Sequence, residues 1–289
     1  MSMLSRQLDQ GRFAVTTEIV PPKGTEIDET LSVARSLWPH VQAININENP
    51  HAVMRISSLA VSRVLVENGM EPVVHVTTRD KNRLALQSDL LGAAVLGIEN
   101  VLVISGDHQS LGDHKEAKPV YDLDTIQMLH VVTQLMSGED LAGNPLMGAP
   151  HFFPGAAVNP QAEIPELEII KMEKKVRAGA RFFQTQAVYD LDALAAFMER
   201  IRHLDVKVLA GIVPLKSARM GRFMNENIPG IRVPDALLDR MEKAGDREAE
   251  SLAIARDLIT GCRDICDGVH LMTIGWYHKV SAMLEGLVG

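Results

Sequence analysis

The residues able to move protons or hold a polar ligand stand singly, at the ends of apolar runs. Glu18 sits in a run otherwise made of Val, Thr and Ile. A carboxyl pointing into a closed interior would have its pKa raised by desolvation, which suits a general acid. Asp107 follows another run through Gly106, and glycine lets the backbone approach a ligand. Gln186 carries an amide that donates and accepts at once, as recognition of a heterocyclic ring edge requires. His75 lies within an apolar run, where a satisfied core histidine is the plain expectation and ligand contact the alternative. Lys171, Lys174 and Lys175 share a helical stretch with Glu168 and Glu173. Pairing along the helix accounts for them, with a phosphate contact from Lys175 as the second reading. The cluster Arg79-Asp-Lys-Asn-Arg83 reads as a solvated turn or an anion site.

A small doublet, Gly106-Asp107-His108 and Gly112-Asp113-His114, holds two His and two Asp, which are metal-ligating types. Such residues also populate turns, and no further run supplies a third ligand, so no metal is expected. Several common chemistries have no motif in the chain: there is no Walker loop, Gly-x-Gly-x-x-Gly, Gly-x-Ser-x-Gly or His-Glu-x-x-His. The first apolar run lacks a His-x-His, and the sixth has no lysine for a Schiff base. These absences favour carboxylate and amide chemistry.

The elements that must position these groups alternate regularly. Short β-type runs at 13–20, 41–47, 72–77, 100–105, 152–158, 181–185, 206–211 and 269–273 alternate with amphipathic stretches. Helices are expected over about 53–68, 165–178, 216–224 and 234–261, with Asp190 as an N-cap and a last helix closing the chain. Eight strands, each followed by a helix, predict an α/β fold: a (β/α)8 TIM barrel, one domain over 1–289. A doubly wound sheet is the alternative. Chemistry in such barrels gathers at the carboxyl ends of the strands. That rule selects Glu18, Asn47, Thr77, Asp107, Asn159, Gln186, Pro214 and Thr273, and the polar loop 106–125 is long enough to suggest a functional role.

A net charge of −8, with no Lys/Arg run, argues against nucleic acid. No apolar stretch approaches the roughly 18 residues that span a bilayer, and residues 1–12 lack a signal-peptide core, so a cytoplasmic protein is expected. The two cysteines, Cys262 and Cys266, exclude a disulfide framework and read as small buried residues. Only twelve residues are Phe, Tyr or Trp, few for a chain that holds a flat cofactor.

With these residues in view, the chain resembles the methylenetetrahydrofolate reductase family over nearly its whole length. The matching stretches are Thr17-Glu-Ile-Val-Pro-Pro22, Leu86-Gln-Ser-Asp-Leu-Leu-Gly-Ala93, Ser105-Gly-Asp-His108, Gly112-Asp-His114, Asn159-Pro160, Lys174-Lys-Val-Arg-Ala-Gly-Ala180 and Phe183-Gln-Thr-Gln186. It is most similar to the branch of bacteria with acetogen-like or methylotrophic one-carbon metabolism. The resemblance implies a flavin-bearing barrel in which reduced flavin gives a hydride to methylenetetrahydrofolate, forming methyltetrahydrofolate, or the reverse. It implies Glu18 as general acid, Asp107 as stabiliser of the developing iminium charge, and Gln186, with Asp107, in contact with folate. Asn47, His75, Ser105, Gly106, Asp107, Asn159, Glu168 and Lys175 fall where the family binds its flavin. FAD is the expected cofactor, with FMN or no flavin left open, and NAD(P)H or a redox partner protein as electron source; a homo-oligomer is allowed for. The better-known branch has arginine where Ser105 stands, threonine at Asn47, aspartate at Glu168, phenylalanine at Ala218 and arginine at Trp276. A flavin-free pterin-dependent methyltransferase, or a folate-binding subunit needing a partner, are the alternatives. With few rings to spare, a bound flavin would lie against aliphatic residues.

Overall fold

Apolar runs long enough to be buried on both faces can only sit in a sheet that is covered or closed on both sides. The computed structural model describes residues 1–287, and in it the eight runs close into a parallel barrel in chain order. The strands are β1 (Ala14–Ile19), β2 (Ala43–Ile46), β3 (Pro72–Thr77), β4 (Asn100–Ile104), β5 (Phe153–Val158), β6 (Phe182–Ala187), β7 (Lys207–Ile212) and β8 (Gly268–Leu271). β8 pairs back onto β1, with Thr16 opposite His270. The expected TIM barrel is the observed fold.

Side chains alternate across a strand, so every second residue points to the barrel axis. The interior is therefore layered. At the amino end, Ala14, Ala43, Val73, Leu102, Phe153, Phe182 and Leu209 form one buried apolar cluster. The rings of Phe153 and Phe182 stack with centroids 4.9 Å apart. Gly155 makes this possible, because a Cβ there would lie 2.3 Å from the Phe182 ring. Two residues further along the strands come Thr16, Asn45, His75, Gln184 and His270, all buried and polar. Two further still, Glu18, Gln186 and Met272 reach an open cavity.

Outside, the strands' other faces pack against helices. Val74, Val76, Val101 and Val103 meet Leu86 and Leu90 of α4 (Arg83–Val95) and Leu129 and Val132 of α5 (Thr125–Met136). Each such fully buried aliphatic side chain contributes roughly 1.5–3 kcal/mol. Pro165 opens α6 (Pro165–Arg177), and Asp190 caps α7 (Leu191–Ile201), both as expected.

Three local expectations change. The stretch 234–261 is two helices, α9 (Asp235–Lys243) and α10 (Arg247–Cys262), because Ala244 and Gly245 break it and Asp246 caps the second. The helix expected from residue 53 is α3 (Ser58–Glu67); the chain before it makes a tight turn with positive φ at Asn49, His51 and Ala52. The amino-terminal stretch, legible only as polar, forms α1 (Met3–Asp9), whose Leu4 and Leu8 complete the barrel's apolar floor. The backbone N–H of Leu4 also donates to Glu71 at 2.9 Å. Cys262 is buried and both cysteines are free thiols. No helix among the described residues is long and apolar enough to cross a membrane.

Candidate active site

A cavity of about 320 Å³ opens at the carboxyl end of the barrel. Six of the sequence-predicted residues line it: Glu18, His75, Asn159, Glu168, Lys175 and Gln186. Its apolar wall is Leu102, Ile104, Ala157, Val158 and Met272, without a Phe, Tyr or Trp among the lining residues. Three polar residues that the sequence did not single out, Gln184, Thr185 and His270, share that lining. A signal for Gln184 existed, since it lies two positions before Gln186 and so faces the same way.

Glu18 lies near the base of the cavity, its side chain 22% exposed. Its Oε2 accepts from Asn47 Nδ2 at 3.0 Å and lies 3.9 Å from His270 Nε2. Burial pushes the carboxyl up, as the sequence led us to expect, but His270 and the Asn47 amide outweigh it, and the net displacement is downward. The expectation of a raised pKa is thus corrected: the neighbours are donors, and donors favour the carboxylate. Asn47 itself has a second polar atom, Oδ1, that is buried without a partner.

His75 is a buried, hydrogen-bonded core histidine, as the plain expectation had it. It lines the cavity, and its Nε2 lies 2.9 Å from Asn45 Nδ2. Burial lowers it to about 4 against the opposing charge of Glu18, so the ring is neutral near pH 7. At the other end, Lys175 Nζ donates to the Ala157 carbonyl at 2.7 Å, and burial pushes its ammonium down. Glu168 accepts from the Asn159 backbone N–H at 3.0 Å. Gln186 turns its Oε1 to the Ala187 N–H at 3.2 Å.

Asp107, Gly106 and Ser105 lie outside that lining, in the loop after β4. Gly106 has φ +80°, and a Cβ there would lie 3.2 Å from Arg79 Nη1. The Asp107 carboxylate, 47% exposed, accepts from the His51 backbone N–H at 2.8 Å. Arg79, 1% exposed, ties this corner together: Nη1 donates to the Asp107 carbonyl at 3.0 Å and Nη2 to the Asn49 carbonyl at 3.2 Å. The guanidinium also pairs with Asp80 at 2.7 Å. The cluster 79–83 is therefore a partly solvated turn, with Asp80, Asn82 and Arg83 exposed, Arg79 buried, and its charges paired rather than open to an anion. Lys81 pairs with Glu48 and Asp89, and Arg83 with Asp122.

The Gly-Asp-His doublet scatters rather than converges. His108 turns to Ser110 Oγ at 2.9 Å, while Asp113 binds Lys23 and His114. Among the described residues no three His, Cys, Asp or Glu side chains group as metal ligands.

Comparison with known proteins interprets this geometry. The family model described as methylenetetrahydrofolate reductase matches residues 3–287. The chain belongs to that family. The 5,10-methylenetetrahydrofolate reductase of Pectobacterium carotovorum subsp. carotovorum is 24% identical over 261 residues, spanning 86% of this chain and 81% of the relative. The enzyme of the same name from Salmonella typhimurium is also 24% identical, over 84% and 77% of the two chains. Among solved structures, deoxyribose phosphate aldolase from Aeropyrum pernix superposes with a TM-score of 0.54 at 11% identity, covering 99% of this chain and 98% of that one. A 2,3-dimethylmalate lyase gives 0.52 at 12% identity, covering 98% and 84%. These two show the barrel alone. A methylenetetrahydrofolate reductase is an oxidoreductase of folate one-carbon metabolism, and the family is generally flavin-dependent. The cavity fits such a cofactor chemically. It has an aliphatic wall that suits a flat ring, and at one end a cationic Lys175 beside the carboxylate of Glu168, groups of the kind that meet a phosphate and a hydroxyl.

Proposed function

We propose that this member of the family uses FAD, and that Glu18 is its general acid toward the folate. The observation that carries the reading is the position of Glu18: a carboxyl near the base of an aliphatic-walled cavity with the Gln186 amide in the same lining. Reduced flavin supplies the hydride when bound; the chain's own groups bind, orient and move protons. Lys175 meets phosphate as a point charge and Glu168 holds a ribose hydroxyl. Gln186 anchors the folate ring edge through its paired donor and acceptor. Asn47, His75, Ser105, Gly106 and Asn159 contribute to holding the cofactor, and Asp107 faces the folate from the rim. NAD(P)H or a redox partner protein supplies the electrons, and residues 1–289 act as one catalytic unit.

The lowered Glu18 pKa refines this scheme. Burial is already the largest single influence on the group, and it acts upward. Filling the cavity removes water from around the carboxyl and strengthens that influence, so ligand binding itself drives Glu18 toward its acid form. Glu18→Gln is expected to lose at least about a hundredfold in folate turnover while flavin reduction persists, measured as two separate half-reactions by stopped flow. Equal loss in both would remove the acid assignment. The cofactor is checked by the visible spectrum and mass of what copurifies: FMN, or no flavin bands even after adding FAD, overturns the FAD assignment.

A further inference from the structure

We propose that His270 is the positioning residue for Glu18, held as its Nε2–H tautomer by a buried chain of two amides and a hydroxyl. The inference rests on the reading of Glu18 as the acid. The chain begins with the side-chain amides of Asn45 and Gln184, which bond reciprocally. Asn45 Nδ2 donates to Gln184 Oε1 at 2.8 Å, and Gln184 Nε2 donates to Asn45 Oδ1 at 3.2 Å. Turning either amide over would set oxygen against oxygen, so each fixes the other. Asn45 Nδ2 then also donates to His75 Nε2, which places the proton of that neutral ring on Nδ1. The remaining Gln184 N–H lies between Thr16 Oγ1 at 3.2 Å and His270 Nδ1 at 3.3 Å. Thr16 Oγ1 is 2.9 Å from His270 Nδ1. Gln184 Nε2–H also faces His270 Nδ1, and among the described residues the Thr16 hydroxyl has no other acceptor for its hydrogen, so His270 Nδ1 is the acceptor and the ring proton is on Nε2.

That N–H faces Glu18 Oε2 across 3.9 Å, about one ångström longer than a hydrogen bond. Asn47 Nδ2 reaches the same oxygen. Both donors converge on Oε2, so the proton to be transferred belongs on Oε1. When a folate ring nitrogen takes that proton, it keeps the electron pair of the C–N bond that breaks, and the carboxylate left behind is met on Oε2 by the Asn47 donor already in place and by the His270 N–H, which closes the remaining ångström. The other groups around Glu18 do not substitute for His270. His75 is neutral and committed to Asn45, and the Tyr277 hydroxyl accepts from the Val20 N–H with Arg55 beyond it. Lys175 and Glu168 belong to the same cavity lining, and Lys175 already donates to Ala157.

Two measurements test the proposal. In histidine-¹⁵N-labelled protein without substrate, long-range ¹H–¹⁵N correlation should show the neutral ring of His270, assigned by its loss in His270→Gln, as the Nε2–H tautomer. Thr16→Val, which keeps shape but removes the hydroxyl, should give a mixture of tautomers. In the folate half-reaction, the rate falls as pH rises through the Glu18 pKa. Removing a donor to the carboxylate disfavours the charged form, so His270→Ala should move that fall to higher pH and cut the plateau rate about tenfold or more. Thr16→Val should move it less, and His270→Gln, which retains an amide donor, should restore most of the wild-type profile. A neutral ring carrying its proton on Nδ1, or a pH limb that stays put in both His270→Ala and Thr16→Val, overturns the proposal. Full folate turnover by Glu18→Gln instead overturns the underlying acid assignment, and leaves the tautomer result standing as a structural fact only.

Discussion

Glu18 and Asp107 are the two carboxylates assigned to one reaction, and they are built in opposite ways. Glu18 projects from a strand into a barrel whose interior layers hold it, and its partners Asn47 and His270 come from the two strands or strand ends flanking β1. Asp107 stands on a loop, half exposed, and is held by one backbone N–H from another loop and, through its carbonyl, by one buried guanidinium. The difference separates two demands. A proton donor must have a defined acidity, which needs a fixed set of neighbours around it. A charge that stabilises another charge over distance needs only a sign and a place, and a loop suffices.

Removing the anchor of the loop corner is the most severe way to break this contrast. Arg79→Ala strands Asp80 and leaves a void against Gly106, and should cost about 3–4 kcal/mol in urea denaturation. A loss below about 1 kcal/mol would show the loop is held from elsewhere. The barrel side has its own signature in acid. His75 has a folded pKa of about 4 against an ordinary 6.5, so the unfolded chain binds the extra proton between those values. Stability is therefore complete above pH 6.5 and declines by about 3 kcal/mol as pH falls toward 4, and His75→Gln should flatten that decline. Glu18, also lowered, adds a further loss only below its ordinary value of 4.5, as pH falls through its folded pKa. The smallest effect sharpens the comparison rather than breaking it. Asp107→Asn should slow the folate half-reaction about tenfold, roughly 1.4 kcal/mol, without moving its pH limb. A loss as deep as that of Glu18→Gln, or a displaced limb, would mean the two carboxylates share one environment in the working complex.

The barrel was legible because each strand is a local apolar run, and a covered parallel sheet asks for nothing else. Glu18, His75, Asn159, Glu168, Lys175 and Gln186 were legible for a related reason, since strand-end polar residues converge once the barrel closes. The rest of the layer that holds His75 was not. Thr16 and His270 are 254 positions apart and meet only through the closing pair β1–β8, so nothing local announces the contact. The same holds for Arg79, whose charge pattern suggested solvent and whose partners lie in two other loops. The direction of the Glu18 displacement was missed for the same cause: desolvation is readable from apolar neighbours in sequence, while the donors that outweigh it come from elsewhere in the chain.

The floor of the barrel carries a consequence for assembly. α1 precedes every strand in the chain, yet the surface that receives Leu4 and Leu8 is composed of β1 to β7, as far along as Leu209. During synthesis this helix is made early and waits, its apolar stripe uncovered, until most of the sheet has been translated and curled. It is a stopper that must be inserted after the vessel is shaped, with long-range contacts that make its seating late and slow. Bulk fused directly ahead of Met3 would therefore burden folding at the end of the barrel opposite the chemistry, lowering yield while sparing turnover in the molecules that close.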